Sequence, residues 1–229
     1  MAKAQSDSFL LRQLQMERVK TAFKKNESLV KKKLALVGAR IVPEIFIRAF
    51  KQEKLLQVFV KNGTGKFVRY DNFKICAASG KPGPKKKQGD QQVPEGFYHI
   101  AVFNPVSKFH LSLGINYPNE ADQRKYKASD KGGDIYIHGE CASIGCLAMN
   151  EKIEEIYVLA VMAHAAGQEK IPVHIFPFRM SEKNFDQYVN PKSKLQPFWK
   201  NLQQGFLFFE NKKRVPLVSV DEKGFYLLE

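Results

Sequence analysis

Residues 135–150 read IYIHGECASIGCLAMN, and the interpretation of the whole chain depends on this stretch. The alternating apolar residues at its start predict a short strand that ends at His138. Eight residues later, Cys146 follows a Ser-x-Gly turn and precedes a predicted helix. A histidine near a cysteine is the pair that a thiol nucleophile needs, because the imidazole accepts the thiol proton and later returns it to a leaving group.

Gly145 adds a second feature, since a residue without a side chain lets the backbone approach a substrate carbonyl closely. We expect the N–H groups of Gly145 and Cys146 to stabilise an oxyanion there. Taken alone, a histidine at a strand end is more often structural, and a lone cysteine is more often a small buried apolar residue. The combination of both with the Ser-x-Gly turn favours a catalytic site.

The composition is that of a globular protein with a strong positive charge. The chain has 229 residues, of which 44% are hydrophobic and 26% charged, and these proportions exclude collagen-like and disordered classes. Lys and Arg number 37 against 23 Asp and Glu, which gives a formal net charge of +14. That charge predicts an anionic partner, whether nucleic acid, a membrane surface or an acidic wall polymer.

Targeting signals are weak in this sequence. No stretch approaches the roughly 18 apolar residues of a membrane span, so we expect no transmembrane segment. The first apolar run, residues 9–11, is shorter than the core of a signal peptide. We therefore expect either a cytoplasmic protein or an exported one whose leader has been removed or replaced.

The chain is expected to divide at about residue 40. Helical periodicity predicts one helix over residues 7–24 and a second from an N-cap at Asn26 to Val37, with Gly38 at its end. These helices form an expected N-terminal helical extension, residues 1–40, which is too short to bury a core alone. Residues 41–229 form the expected catalytic domain.

From Pro43 onward, period-two patterns dominate the middle of the chain. They predict strands over residues 45–47, 56–60, 67–77, 97–103, 108–115, 134–138 and 173–178, and a hairpin over residues 215–228. Helices are predicted over residues 151–166, with Asn150 as N-cap, then from Ser181, and over residues 195–209. The fold class is therefore α+β, a mostly β core with peripheral helices.

Two motifs resemble those of a known family. His138-Gly139 followed by Ser143-x-Gly145-Cys146 resembles the signature of the L,D-transpeptidase (YkuD-type) catalytic domain, and residues 89–98, GDQQVPEGFY, resemble its second motif, with Val where Thr is usual. The likeness is greatest to the YafK-type branch and runs from about residue 43 to 226. It includes Ile75-Cys76, Pro84-Lys85-Lys86, Pro177-Phe178-Arg179-Met180 and Phe198-Trp199.

The resemblance implies a YkuD-like fold and a periplasmic enzyme, without cofactor or metal, that acts on peptidoglycan stem peptides. Cys146 is then the nucleophile that attacks an L,D amide and releases D-alanine, and His138 is the base. The backbone carbonyl of Gly139 orients the imidazole, Ser143 supports the site by a hydrogen bond, and Gly145 contributes to the oxyanion site. An amine resolves the thioester in a transferase, and water resolves it in a hydrolase.

One position departs from the family pattern. Ala148 stands where Arg or Asn is usual, two residues after the nucleophile, and the YafK-type branch has the same kind of small residue. The resemblance therefore leaves two activities open: cross-linking, or hydrolysis as an L,D-carboxypeptidase or as an amidase that releases wall-linked lipoprotein. A wall-binding protein without catalysis is a remote alternative, and the intact His138 and Cys146 argue against it.

The three cysteines exclude a disulfide framework as the organising principle, because their number is odd. Cys141 is a conceivable zinc ligand with His138 and Cys146, but no fourth ligand is evident. A resolving thiol is another alternative, and a buried structural cysteine is favoured for both Cys141 and Cys76. A Cys76–Cys141 disulfide would suit the periplasm, but the sequence does not give the distance between the two residues that its geometry requires.

The lysine-rich segment of residues 79–94, here called the 79–94 loop, leads directly into the second motif. Solubility or non-specific attraction to the wall is the favoured role of these lysines, and direct substrate contact is the alternative. For that contact we expect Lys86, Lys87 and Tyr136 to bind the stem peptide, whose several carboxylates suit a cationic rim. A nucleic-acid partner is not expected, because such sites interleave basic residues with exposed aromatic ones.

Overall fold

The computed structural model of the protein describes residues 2–41 and 43–229, and side chains from residue 8 onward. The helices are α1 (Ala2–Leu14), α2 (Glu17–Leu36), α3 (Glu120–Lys125), α4 (Ile153–Ala165), α5 (Glu182–Tyr188) and α6 (Gln196–Lys212). The strands of the central sheet are β1 (Ile45–Phe50), β2 (Leu55–Lys61), β3 (Phe67–Lys74), β4 (Gly96–Asn104), β5 (Ser112–Ile115), β6 (Tyr136–His138), β7 (Leu147–Ala148) and β8 (Pro172–Phe176). A separate hairpin joins β9 (Val218–Val220) to β10 (Tyr226–Leu228).

The central sheet is mixed. Among the described residues its strand order is β3-β2-β1-β8-β4-β5-β6-β7. Strand β1 pairs antiparallel with β2 and parallel with β8, while β6 pairs parallel with β7. The α+β class is confirmed, with helices on both faces of the sheet.

Strand β1 is buried along its whole length because helices cover both of its faces. Ile45 and Ile47 belong to the same apolar cluster as residues of α2 and α4. On the opposite face, Phe46 and Phe50 pack with residues of α6. Each such side chain contributes roughly 1.5–3 kcal/mol on full burial, so both layers hold the centre of the sheet.

The N-terminal helices differ from the prediction in where they break. The chain turns at residues 15–16, and α2 continues through Asn26 rather than starting there. The Asn26 amide donates to the Ala22 carbonyl at 3.0 Å, one turn earlier, so it bonds within the helix instead of capping it. Val19 and Val30 of α2 are fully buried in the cluster that also contains strand residues. The division at residue 40 stays a prediction.

Three further elements were predicted wrongly or missed. Asn150 has a φ of +53° and lies in a short 3-10 helix before α4, so it is not the cap of that helix. Helix α3 begins with a capping box in which Asn119 and Asp122 bond reciprocally, a signal that the sequence contained. Strand β7 has only two residues, too few for a periodic pattern to reveal.

The chain segment after β3 returns to the opposite edge of the sheet. The Cys76 N–H donates to the Ala148 carbonyl at 2.9 Å, and the Ala148 N–H donates to Ala77 at 3.0 Å. A disulfide joins Cys76 to Cys141, with Cα atoms 5.7 Å apart. Cys141 is exposed and Cys76 is half-buried, so the prediction of two buried structural thiols was wrong. The disulfide also removes the thiol that zinc binding or a resolving role needs.

A buried ion pair fixes the 79–94 loop to the core. Lys51, directly after β1, lies 3.0 Å from Glu95 and donates to the carbonyls of Gly83 at 2.7 Å and Val93 at 2.8 Å. Glu95 also accepts from the Gly83 N–H at 2.6 Å and from the Trp199 indole at 2.8 Å. Glu95 is fully buried, and burial lowers the pKa of Lys51 although the carboxylate opposes that effect.

Within the described residues, none of the helices combines the length and the apolar character needed to cross a bilayer.

We predict that Glu95→Gln lowers the free energy of unfolding by about 3–5 kcal/mol, because Lys51 then remains buried without a counter-charge. The matched control is Glu44→Gln, which breaks an exposed pair with Lys61 and should cost less than about 1 kcal/mol. Denaturant unfolding measures both values. Equal losses for the two variants would show that the buried pair does not hold the loop.

Candidate active site

Strand alternation brings His138 and Cys146 to one face of the sheet. Ile137 and Leu147 are register partners on β6 and β7, and both lie in the apolar core. His138 on β6 and Cys146, the residue directly before β7, therefore project from the opposite face. In the described part of the chain, no hydrogen bond joins the imidazole to the thiol, and such contacts often tighten only when substrate binds.

The His138 ring is held in one orientation. Its Nδ1 forms a short hydrogen bond with the Gly139 carbonyl, and the Phe109 ring lies 4.9 Å from it, centroid to centroid. Because a carbonyl can only accept, Nδ1 carries the proton and Nε2 is free to act as a base. Burial lowers the pKa of His138, so the imidazole is neutral at pH 7.

Gly139 is required by its surroundings. Its N–H donates to the Leu111 carbonyl at 3.1 Å. A Cβ at this position would lie 2.8 Å from the Phe109 carbonyl oxygen, 2.9 Å from His110 Cβ and 3.1 Å from Ile153 Cγ2. These atoms cannot move independently of the backbone, so only glycine fits beside the histidine.

The Cys146 thiol is free and half-buried. Its sulfur accepts from the Tyr136 N–H at 3.4 Å and lies 3.5 Å from the Asp134 carbonyl. Burial raises the pKa of Cys146, Asp134 adds to that rise, and the Tyr136 N–H and the charge of Lys85 oppose it. The thiol is therefore protonated at neutral pH, and no thiolate–imidazolium pair forms in advance.

Two serine hydroxyls bind the backbone of the cysteine turn. Ser143 donates to the Cys146 carbonyl at 2.7 Å and accepts from the Cys146 N–H at 3.1 Å. The Gly145 N–H donates to Ser79 at 2.6 Å. Both N–H groups expected to stabilise an oxyanion are thus paired with serines in this structure. Gly145 has a φ of +94°, which favours glycine.

Tyr136, one of the three residues expected to contact substrate, lies beside the thiol. Its ring covers Gly114 of β5, where a Cβ would approach the ring to 2.8 Å. Its hydroxyl is 3.5 Å from an Asp134 carboxylate oxygen.

Lys86 and Lys87, the other two, are exposed in the 79–94 loop. Their N–H groups donate to the Asp90 carboxylate at 2.7 and 3.1 Å. Asp90 also pairs with the buried Lys85 at 2.7 Å. Asp90 therefore fixes the loop backbone and leaves the side chains of Lys86 and Lys87 at the surface.

Sequence reasoning missed two residues at this site. Ser79 lies 66 residues before Gly145, and no local pattern links the two positions. Lys85 is the buried lysine of its run, whereas the sequence analysis expected its exposed neighbours, Lys86 and Lys87, to act at the site. The Gly89-Asp90 pair signalled a turn, because Asp side chains bond the backbone of turns, but it did not distinguish Lys85 from the neighbouring lysines.

The sequence is similar to proteins of one family. Residues 44–175 match the L,D-transpeptidase catalytic domain family, YkuD. The chain is 37% identical over 179 residues to "Putative L,D-transpeptidase YafK" of Escherichia coli (strain K12), a match that covers 77% of this chain and 70% of that protein. This chain belongs to the L,D-transpeptidase (YkuD) family. The resemblance inferred from the two motifs is confirmed.

Two solved structures also align with this member of the YkuD family. The helical cell shape determining protein Pgp2 from Campylobacter jejuni is 17% identical with a TM-score of 0.48, and the alignment covers 84% of this chain and 80% of that one. Bd1075 from Bdellovibrio bacteriovorus is 21% identical with a TM-score of 0.41, and the alignment covers 73% of this chain and 56% of that one.

We predict that Gly139→Ala lowers the free energy of unfolding by about 1–3 kcal/mol, because the new methyl group forces the backbone around His138 apart. Gly133→Ala is the matched control, since its Cβ would meet no atom within 4 Å. Denaturant unfolding of the two variants tests this expectation. A loss for Gly139→Ala no larger than that for Gly133→Ala would contradict it.

Proposed function

We propose that the protein is a peptidoglycan-modifying cysteine enzyme that acts on L,D amide bonds of stem peptides. The observation that carries this proposal is the placement of an oriented, neutral His138 and a free Cys146 on one face of adjacent strands, in a chain of the L,D-transpeptidase family. Family membership supports the reaction type, and the contacts of His138 and Cys146 support the role proposed for each residue.

The first step forms a thioester. The neutral Nε2 of His138 takes the proton from Cys146 as the sulfur attacks the carbonyl carbon of the L,D amide. The C–N bond then breaks, and the imidazolium returns its proton to the amine of the departing D-alanine. The Gly139 carbonyl stabilises the imidazolium while it carries both protons, because it accepts the Nδ1 hydrogen bond.

The oxyanion of this step needs N–H donors. Gly145 and Cys146 supply them if the substrate oxygen takes the place of the serine hydroxyls now bound to their N–H groups. Ser143 keeps a supporting role through its bond to the Cys146 carbonyl. Tyr136 borders the thiol, while Lys86 and Lys87 present positive charge to the stem-peptide carboxylates.

The second step decides between a transferase and a hydrolase. Ala148 favours the hydrolase as the second candidate, because it is fully buried and its backbone is bound to residues 76 and 77. No polar side chain at that position is available to orient an acceptor amine. Water then resolves the thioester, as in an L,D-carboxypeptidase or an amidase that releases wall-linked lipoprotein.

The charge and the disulfide support a location outside the cytoplasm. Disulfides persist in oxidising compartments such as the periplasm, and the Cys76–Cys141 bond fits that environment. A net charge of +14 suits an anionic wall polymer. We propose a periplasmic enzyme whose partner is peptidoglycan rather than nucleic acid.

We expect Cys146→Ala to lower turnover of tetrapeptide muropeptides by at least about 1,000-fold, because the nucleophile is lost. Leu36→Ala, which truncates an exposed side chain on α2, is the control and should leave turnover unchanged. Mass spectrometry separates the outcomes. Tripeptide with free D-alanine indicates a carboxypeptidase, cross-linked dimers a transpeptidase, and released lipoprotein peptide an amidase. Identical products from the unaltered protein and Cys146→Ala would refute the proposal that Cys146 is the nucleophile of an enzyme.

The pH dependence follows from the buried histidine. Catalysis needs neutral His138, and burial lowers its pKa below the ordinary value of 6.5, so kcat/KM should fall only as the pH drops through a midpoint below 6.5. Removing the covering ring in Phe109→Ala should move that midpoint upward, towards 6.5. Val106→Ala, an exposed truncation in the same turn, is the control. A midpoint at or above pH 6.5 for the acid limb of the kcat/KM profile of the unaltered protein would contradict this prediction.

A further inference from the structure

Strand β1 carries a charged residue where its neighbours are apolar. Arg48 is 3% exposed, on the face of the sheet that packs against α6. Its guanidinium carbon lies 4.9–5.2 Å from the ring centroids of Phe50, Phe59, Phe206 and Phe209. Burying a charge among rings is costly unless the charge is paired and its donors are bonded.

The hydrogen bonds of Arg48 are incomplete. Its Nε donates to Gln57 at 2.9 Å, and its Nη2 donates to Glu210 at 2.6 Å. Its Nη1 is buried and has no hydrogen-bond partner among the described residues. Nη1 is therefore an unpaired donor on a buried charge, and the surrounding Phe rings cover it.

A cavity of about 370 Å³ lies against this guanidinium. Its wall includes the charged side chains of Arg48, Lys66, Arg69, Arg179, Lys213 and Glu210. Five positive charges against one negative charge leave an excess of four. Phe59 and Phe67 add an apolar part to the wall.

The carboxylate in the wall is already engaged. Glu210 pairs with Arg48 at 2.6 Å and with Lys213 at 2.9 Å. In the described residues, the side chains of Arg69 and Arg179 form no ion pair. Burial lowers the pKa of Arg48, Glu210 opposes that effect, and the charges of Arg179 and Arg69 add to it. The cluster therefore lacks negative charge.

We propose that this cavity binds a phosphoryl group, either as inorganic phosphate or as a phosphomonoester on a larger molecule. A phosphoryl dianion carries two charges and three terminal oxygens, and guanidinium groups bind such oxygens in pairs. A single carboxylate would neutralise only one of the four excess charges. Arg48 borders the cavity and contributes its positive charge, and Arg69 and Arg179 supply the N–H donors at the cavity wall.

The phosphoryl site is separate from the cysteine site. Strand β1 stands four strands away from β6 in the sheet order, roughly 19 Å along the sheet. Arg48 lies on the face covered by α6, and its donors play no part in the thiol chemistry. Phosphoryl binding at this cavity therefore does not depend on the proposed peptidoglycan activity.

Isothermal titration with inorganic phosphate and with glycerol 3-phosphate tests the site, at an ionic strength held constant with chloride. We expect saturable binding of at least one of them. Arg69→Gln and Arg179→Gln should each weaken it at least about tenfold, since each removes a charged donor. Lys32→Gln, an equal charge loss on the exposed face of α2, should change the affinity less than twofold. Arg48 is left unaltered because its replacement would also change the core.

Two results would overturn the proposal. One is no saturable binding of either compound up to about 10 mM. The other is a loss of affinity in Lys32→Gln as large as in Arg179→Gln, which would indicate general charge attraction. Glycerol 3-phosphate that binds at least tenfold more tightly than phosphate would identify the phosphoryl group of a larger molecule as the occupant. Equal or tighter binding of inorganic phosphate would identify the free ion, and either result supports the phosphoryl site.

Discussion

Lys51 and Glu95 form an ion pair in the interior, and the 79–94 loop depends on it. The pair binds the loop at Gly83 and Val93 and binds α6 through Trp199. A buried pair of this kind is costly to break from one side, so it holds the loop at residues 83 and 93. Ser79, at the start of the loop, reaches the Gly145 N–H from that position. The order at the cysteine turn is therefore set partly by a charge pair that lies outside the site.

The second constraint is the double cover of the sheet. Helices α2 and α4 bury one face and α6 buries the other, so central strands such as β1 and β8 have little freedom to shift register. Strands β6 and β7 are short and lie at one edge of this rigid sheet. Because Ile137 and Leu147 point into the core, the opposite face carries the buried His138 and the half-buried Cys146.

The local patterns of the sequence were enough for the fold class and for the central pair of the site. His138 and Cys146 stand in a continuous motif, and the motif places both on one strand-turn-strand unit. Contacts between distant segments were not accessible in the same way. Ser79 and Gly145 are 66 residues apart, and the partners of Arg48 come from β2 and α6. Asn26 misled the prediction because a polar cap residue also fits within a helix when its amide bonds one turn back.

The protonated state of Cys146 also affects the survival of the neighbouring disulfide. Thiol–disulfide exchange requires a thiolate, and Cys146 is five residues from Cys141, which is exposed. Because burial raises the pKa of Cys146, little thiolate is present at neutral pH to attack that bond. The burial that keeps Cys146 protonated therefore also limits the exchange of disulfide partners among the three cysteines.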